Sequence, residues 1–354
     1  MAERRSRQIW LPDYWFLMFM KKKTRALVLL SGGLDSMLAA KTLIEQGIEV
    51  VGISFISCFF GADKAEKAVA QLGIELKKID FKKEHLEMVK NPASGYGKML
   101  NPCIDCHALM IKLAGRIAKE EGFDFIATGE VLGQRPMSQN KTALRRVEKI
   151  AGVEVLRPLS ALLLEETKIE KEGLVARSKL LNISGRGREK QFQLAKKYNF
   201  TYPSPAGGCL LTDPTFAQRA KEMLKIWPDC APEDMELLKF GRIFWTGKTL
   251  IIIGRNEEDN NNLEKLVKRG DVVFKLEDVM GPLAVARIYE FTNLQIFREI
   301  STLKLQIPEK LDVNKIKLDE IKTEEEILNL VGLLTGWYAT KARGKEVKLN
   351  IKII

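Results

Sequence analysis

A doubly wound, parallel α/β sheet followed by a smaller C-terminal α+β module is the fold class this sequence predicts. Three observations carry it. Short unbroken apolar runs, Ala26–Leu30 and Glu49–Phe55, have the pattern of strands buried on both faces. Each is followed by apolar residues at helical spacing, the alternation of a parallel sheet with crossover helices. From about residue 231 that alternation gives way to the strand-like runs Thr249–Gly254 and Asp271–Leu276 and a long helical stretch, Glu324–Ala342.

The first strand runs directly into Ser31-Gly32-Gly33-Leu34-Asp35-Ser36. Met37, Leu38, Ala39, Ala40, Leu43 and Ile44 then recur at helical spacing, with Gly47 as the C-cap. Strand, glycine turn and helix in this order aim backbone N–H groups and a helix dipole at one point, which suits phosphate. The glycines let the backbone approach an anion with no Cβ in the way. Ser31 and Ser36 add hydroxyls, and the carboxylate of Asp35 among phosphates implies Mg2+ between them. No lysine follows the glycines, so this is not the G-x-x-x-x-G-K-[ST] loop.

Further along, Asp63–Leu72 reads as a helix and Glu75–Phe81 as a third strand. His85, in a charged stretch, reads as a surface helix residue without a role. Ile104–Glu121 is helical, and Phe125–Thr128 is a strand entering a glycine turn at Gly129-Glu130. Leu132–Asn140 is a polar loop beside the site. Glu165–Gly173 reads as helical, Ile183–Lys190 as a basic, glycine-containing loop before a helix, and Tyr202–Cys209 as irregular chain. The expected organisation is an N-terminal extension (1–23), a nucleotide-binding domain (24–165), an adaptor carrying the third informative cysteine (166–230) and the α+β module (231–354).

Hydrophobic and charged fractions of 45% and 29% are globular values. The net charge of +11 suits a polyanionic partner, nucleic acid first. Residues 1–19 join a basic start to an apolar run that Pro12 and Asp13 interrupt. That run is too short to span a bilayer and lacks a small-x-small cleavage site, so Met20 reads as the initiator or 1–19 as a loosely attached extension. No membrane span is expected elsewhere. Five cysteines over this length make no disulfide framework and favour metal or catalysis in a reducing, cytoplasmic compartment.

Cys103 and Cys106 lie in Asn101-Pro102-Cys103-Ile104-Asp105-Cys106-His107, at the start of a helix, and Cys209 follows Gly207-Gly208 on a distant loop. C-x-x-C puts two thiolates on one side of a turn, able to chelate one centre or exchange one sulfur. With Cys209 as third member, three thiolates leave one iron of a [4Fe–4S] cluster open to an exogenous ligand such as sulfide. Zn2+ held by the same thiolates, and a metal-free persulfide relay, stay open as alternatives. A c-type haem site would need export. His107 reads as a helix-face residue, and Cys58 and Cys230 as structural.

Together, SGGLDS (Ser31–Ser36), NPCIDCH (Asn101–His107), TGEVLGQ with SQ (Thr128–Gln139) and SPAGGC (Ser204–Cys209) resemble the tRNA thiolation enzymes, the 4-thiouridine and 2-thiouridine synthases of the ATP-pyrophosphatase (PP-loop, HUP-like) superfamily. The resemblance covers roughly Thr24 to Asp213. It implies that the Ser31–Ser36 loop, Asp35 included, holds the pyrophosphate of ATP, and that Gly129, Glu130, Gly133, Gln134, Ser138 and Gln139 line the nucleotide and base site. The 4-thiouridine synthases carry an N-terminal RNA-binding domain, for which there is no room before Thr24. The extra module here is C-terminal, and Gly254-Arg255-Asn256, Asp259-Asn260-Asn261, Asp271, Asp278 and Gly281-Pro282 resemble the RNA-binding domain of the NFACT ribosome quality-control proteins. Arg255, Lys268, Arg269 and Arg287 are its expected RNA-phosphate contacts, with homodimerisation as the alternative role.

The chemistry these features imply is tRNA sulfurtransfer. A uracil oxygen is a poor leaving group, and attack on the α-phosphate of ATP would activate it and release pyrophosphate into the glycine loop. A sulfur donor, sulfide or a persulfide carrier, would then deliver the nucleophile through the cysteines. An adenylating ligase or amidotransferase with structural zinc, or a non-catalytic RNA-binding factor, are the competing classes.

Overall fold

The computed structural model describes residues 23–204, 208–288 and 300–354. The N-terminal extension with Met20, and Pro205, Ala206 and Gly207 of the SPAGGC segment, lie outside the described residues. The chain divides into two compact units. The first holds the described residues up to Phe55, Ala62–Ile79 and those from His107 to 204; the second holds Ile56–Gly61, Asp80–Cys106 and the described residues from 208 to Ile354.

In chain order the elements are β1 (Arg25–Leu29), α1 (Leu34–Ile44), β2 (Glu49–Ile56), α2 (Asp63–Leu72), β3 (Leu76–Asp80), α3 (Lys82–Lys90), α4 (Cys103–Glu120), β4 (Phe125–Thr128), α5 (Lys141–Ala151), the single turn α6 (Lys168–Lys171), α7 (Glu189–Lys197), α8 (Pro214–Ile226) and α9 (Pro232–Leu237). They continue with β5 (Arg242–Thr246), β6 (Thr249–Ile253), α10 (Glu257–Leu266), β7 (Val272–Leu276), β8 (Ala284–Ile288), β9 (Thr302–Gln306), α11 (Glu324–Tyr338) and β10 (Glu346–Ile353).

The first unit is built on a four-stranded sheet of order β3-β2-β1-β4. β1 pairs in parallel with β2 and with β4, so the glycine turn leaves the sheet from a central strand. Ala26, Leu27 and Val28 are fully buried, as the unbroken apolar run requires. Met37, Ala40 and Leu43 of α1 pack onto that sheet with Val28, Val50 and Ala127. The other side of α1, Leu34, Leu38 and Ala39, packs with Val131, Leu159, Ile183 and Ala195. That second cluster draws the chain around residue 183 toward the start of α1.

The second unit contains a six-stranded sheet of order β5-β6-β8-β7-β10-β9, antiparallel throughout. Helix α11 starts at a capping box in which Thr323 and Glu326 satisfy each other's backbone N–H groups. It buries Leu328, Val331 and Leu334 with Ile251, Phe274 and Leu349. Two expected helices are shorter than the sequence suggests. Glu165–Gly173 reduces to α6, because Thr167 caps the helix only at Lys168. The long C-terminal helix stops at Tyr338, with a 3-10 turn over Thr340–Ala342. Among the described residues no helix is long and apolar enough to cross a membrane.

Candidate active site

The glycine loop of the first unit is fixed by contact as well as by conformation. Gly32 has φ +74°, and a Cβ there would lie 2.1 Å from the backbone carbon of Lys64. Gly129, at the exit of β4, packs so closely on α1 that its Cβ would lie 2.5 Å from the Cα and the backbone nitrogen of Ser36. No other residue type fits either position without moving backbone. Gly33 is the N-cap of α1 and offers no side chain to its first-turn N–H groups. Ser36 Oγ donates to Gly33 O at 2.8 Å and stands 3.4 Å from Ser31 Oγ.

Asp35 is the centre of a polar cluster. Its Oδ2 accepts from Gln134 Nε2 at 2.6 Å and from Arg188 Nη2 at 3.2 Å. Gln134 Oε1 in turn accepts from Gln191 Nε2 at 3.2 Å. Three buried atoms of this cluster have no hydrogen-bond partner: Asp35 Oδ1, Arg188 Nε and Gln191 Oε1. Unpaired buried polar atoms are uncommon, and three in one cluster leave hydrogen-bonding capacity that a ligand can use. Gln134 was expected here; Arg188 and Gln191 were not. The basic loop before α7 is their one sequence signal, and nothing in it points to Asp35.

The expected nucleotide and base segment divides into two kinds of residue. Glu130 is buried, accepting from His107 Nδ1 at 2.8 Å, Thr128 Oγ1 at 3.1 Å and Arg157 Nε at 3.0 Å. Burial alone would raise its pKa, but the charge of Arg157 and the bond to His107 outweigh that and hold it at about 2. Its carboxylate is committed within the fold, where it stiffens the turn after β4. Gly133 N–H donates to Gln139 O at 2.7 Å, Gln139 Oε1 accepts from Arg135 N–H at 3.1 Å, and Ser138 is buried. These bonds close the 133–139 loop on itself. Gly185 N–H donates to Leu132 O at 2.7 Å, which ties this loop to the one carrying Arg188.

The cysteines lie in the second unit. Asn101 Nδ2 donates to Cys103 Sγ at 3.1 Å, and Asp105 accepts from Ser94 N–H and Oγ at 2.7 and 2.8 Å, which pins the NPCIDC turn. Cys106 is buried, and its thiol is pushed well above the ordinary range by burial first and then by Cys209 and Cys103. Cys103 and Cys209 are partly exposed. Among the described residues, no group of three or more His, Cys, Asp or Glu side chains stands in a metal-holding arrangement. None of the five cysteines forms a disulfide, and burial holds Cys58 at about 12 and Cys230 at about 11, as structural thiols.

His85 corrects the sequence reading. It is 1% exposed, stacked on Phe81 at 4.8 Å and edged by Phe59 and Phe60. Its Nε2 lies 3.1 Å from Cys106 Sγ and its Nδ1 2.6 Å from Ser57 Oγ. Ser57 Oγ also accepts from Phe59 N–H, so the ring, the hydroxyl and the thiol form one buried chain. Burial pushes His85 down to about 4, consistent with a neutral ring. The Phe81, His85, Val89 stripe at i, i+4, i+8 was the signal for a buried face.

Arg287 is a second correction. It is 3% exposed, and all three guanidinium nitrogens are bonded within the unit: Nε and Nη2 to Asp271 at 2.8 and 2.6 Å, Nη1 to Asp234 at 2.9 Å. It cannot meet an RNA phosphate without dismantling that network. Arg255 is paired with Asp259 at 2.6 Å and Lys268 with Asp234 at 2.8 Å, although both are exposed, as is Arg269. Asn260 Oδ1 accepts from Leu283 N–H at 3.0 Å, and a Cβ at Gly254 would lie 2.0 Å from that oxygen. Much of the dense motif that resembles the NFACT domain thus serves the module's own fold.

The first unit is an α/β domain with a parallel sheet whose central strand ends in a glycine turn, with an uncapped helix start and a carboxylate beside it. Residues 21–173 match the family model described as Thiamine biosynthesis protein (ThiI). A probable tRNA sulfurtransferase of Thermococcus kodakarensis is 32% identical over 151 residues, 40% of this chain and 38% of that protein. The tRNA-specific 2-thiouridylase MnmA of Rhizobium leguminosarum is 35% identical over 134 residues, 32% of this chain and 33% of that protein. The match is confined to this segment of the chain, which spans less than two-fifths of the length of these relatives. Among solved structures, a 4-thiouridine synthetase–RNA complex with bound ATP is similar at 20% identity and a TM-score of 0.36, over 60% of this chain and 53% of that one. A predicted tRNA methyltransferase subunit from Methanocaldococcus jannaschii follows at 18% identity and 0.33, over 49% and 76%.

Proposed function

We propose that this protein is an ATP-dependent tRNA sulfurtransferase that adenylates a uridine carbonyl and replaces its oxygen with sulfur. The observation that carries this reading is the Asp35 cluster at an uncapped helix start, in a chain that also carries the Cys103, Cys106 and Cys209 thiols. The uracil oxygen attacks the α-phosphate of ATP, the bond to the β-phosphate breaks, and pyrophosphate leaves toward Gly32, Gly33 and the N–H groups of α1. A sulfide-level nucleophile adds to the activated carbon, the C–O bond breaks, and AMP departs with the former carbonyl oxygen.

Asp35, with its unpaired Oδ1, and Ser36 would hold Mg2+, which supplies charge neutralisation for the leaving pyrophosphate. Cys103, Cys106 and Cys209 are the candidate sulfur carriers, as ligands of a [4Fe–4S] cluster or as a persulfide relay, although among the described residues they do not stand in a metal-holding arrangement. Ser57 bonds His85, whose other ring nitrogen meets the Cys106 sulfur, and this keeps that side chain in place. The second unit engages tRNA, with Arg269, Lys268 and Arg255 as the exposed cations available to phosphate.

The test is pyrophosphate release from ATP with and without unmodified tRNA, together with mass spectrometry of the tRNA nucleosides. RNA-dependent release and a thiolated uridine are expected. Release that depends on ammonia and yields no thionucleoside would assign the fold to an adenylating ligase.

A further inference from the structure

The glycine turn from Ser31 to Ser36 contributes a carboxylate and no cation, so it cannot by itself neutralise a polyphosphate. The cation reaches it from 153 residues away. Arg188 closes on Asp35 from the loop before α7, its guanidinium 5.7 Å above the Phe192 ring. We infer that Arg188 is the polyphosphate-gripping cation of the nucleotide site, held by Asp35 when nucleotide is absent and transferred to phosphate oxygens when it binds. The inference rests on the nucleotide-binding reading above and deepens it.

The unpaired atoms suit a ligand that brings both an anion and a cation. Arg188 Nε is a buried donor without an acceptor; Asp35 Oδ1 and Gln191 Oε1 are buried acceptors without a donor. An anion alone satisfies the first and leaves the other two. A hydrated cation alone does the reverse. A magnesium nucleoside polyphosphate offers both, phosphate oxygens to the guanidinium and the metal with its waters to the two oxygens. Gln191 is fully buried and its Nε2 is spent on Gln134, so its free oxygen has one direction to serve. Arg188 is thus matched to a phosphate by geometry and by what its neighbours leave over.

The experiment is calorimetric binding of ATP, ADP and AMP, without magnesium, to the full chain and to R188Q, R188K, D35N and the D35N/R188Q double variant. R188Q should weaken ATP binding roughly ten- to hundredfold and AMP by less than about threefold, with R188K between. D35N removes both the competitor for Arg188 and a nearby negative charge, so it should tighten magnesium-free ATP binding by about threefold or more, and R188Q should cancel much of that gain. A purely structural Arg188 would not produce that coupling. Wild-type binding with R188Q within about twofold for ATP overturns the inference alone. No ATP binding by the wild type, with or without magnesium, overturns the nucleotide reading with it.

Discussion

Arg188 in the first unit and Arg287 in the second each meet a half-buried or buried aspartate, and the two pairs have opposite characters. Arg287 spends all three nitrogens on Asp271, Asp234 and the Leu266 carbonyl, and Asp271 also takes the Lys268 N–H. Arg188 and Asp35 share one bond and leave Nε and Oδ1 buried with nothing to bond. A buried charge pair is costly to assemble, and a fully satisfied one is a device of the fold. The Arg188–Asp35 pair keeps hydrogen-bonding capacity that a ligand can use. The comparison separates cations that hold this protein together from cations that face its ligand, a distinction that charge alone does not make.

The sharpest way to break that contrast is at Asp35. Asp35→Ala should reduce pyrophosphate release on the order of 10³-fold while the thermal midpoint stays near wild type, measured by coupled phosphate assay and calorimetry. A collapse of the fold with activity per folded molecule unchanged would make Asp35 structural, like Asp271. Arg287→Ala should do the reverse, costing about 3–5 kcal/mol of stability by leaving Asp271 and Asp234 without their cation. Denaturant unfolding checks this, and an RNA-binding defect without instability would return Arg287 to the interface. Arg269→Ala should leave stability alone and lower the log–log salt slope of tRNA binding by about one.

Glu130 sharpens the comparison through pH. Its pKa is lowered to about 2 in the folded chain from an ordinary value near 4.5, so the unfolded chain binds the proton first. The stability it contributes is present above pH 4.5 and is lost as pH falls toward 2, on the order of 3 kcal/mol in all. Glu130→Gln should flatten that part of the stability–pH curve, measured by urea unfolding at fixed temperature. An unchanged slope would mean that Arg157 and His107 do not hold the carboxylate ionised.

Legibility followed the range of the interactions. The β1 strand, the glycine turn and α1 are specified by neighbours in sequence, and the structure has them where the apolar run and the glycines put them. Helix Asp63–Leu72 is likewise local, ended by the left-handed Gly73. His85 was misread because the aromatic rings that bury it come from Phe59 and Phe60 on another segment as well as from Phe81. Arg287 looked like a surface cation because Asp234 and Asp271 lie 53 and 16 residues away. Arg188 was seen only as part of a basic loop, since no pattern links it to Asp35. The motifs named the chemistry; side-chain partners across long separations decided which charges were free to take part.

In the proposed function, nucleotide activation and sulfur delivery are separate tasks of separate residue sets. The most direct test measures tRNA-dependent pyrophosphate release and thionucleoside yield together, in anaerobically prepared Cys106→Ser and Cys209→Ser, with iron content recorded. The account predicts pyrophosphate release within a few-fold of wild type, with both iron and thiolated uridine lost. Full thiolation in either variant, or active wild-type protein holding zinc and no iron, would contradict it.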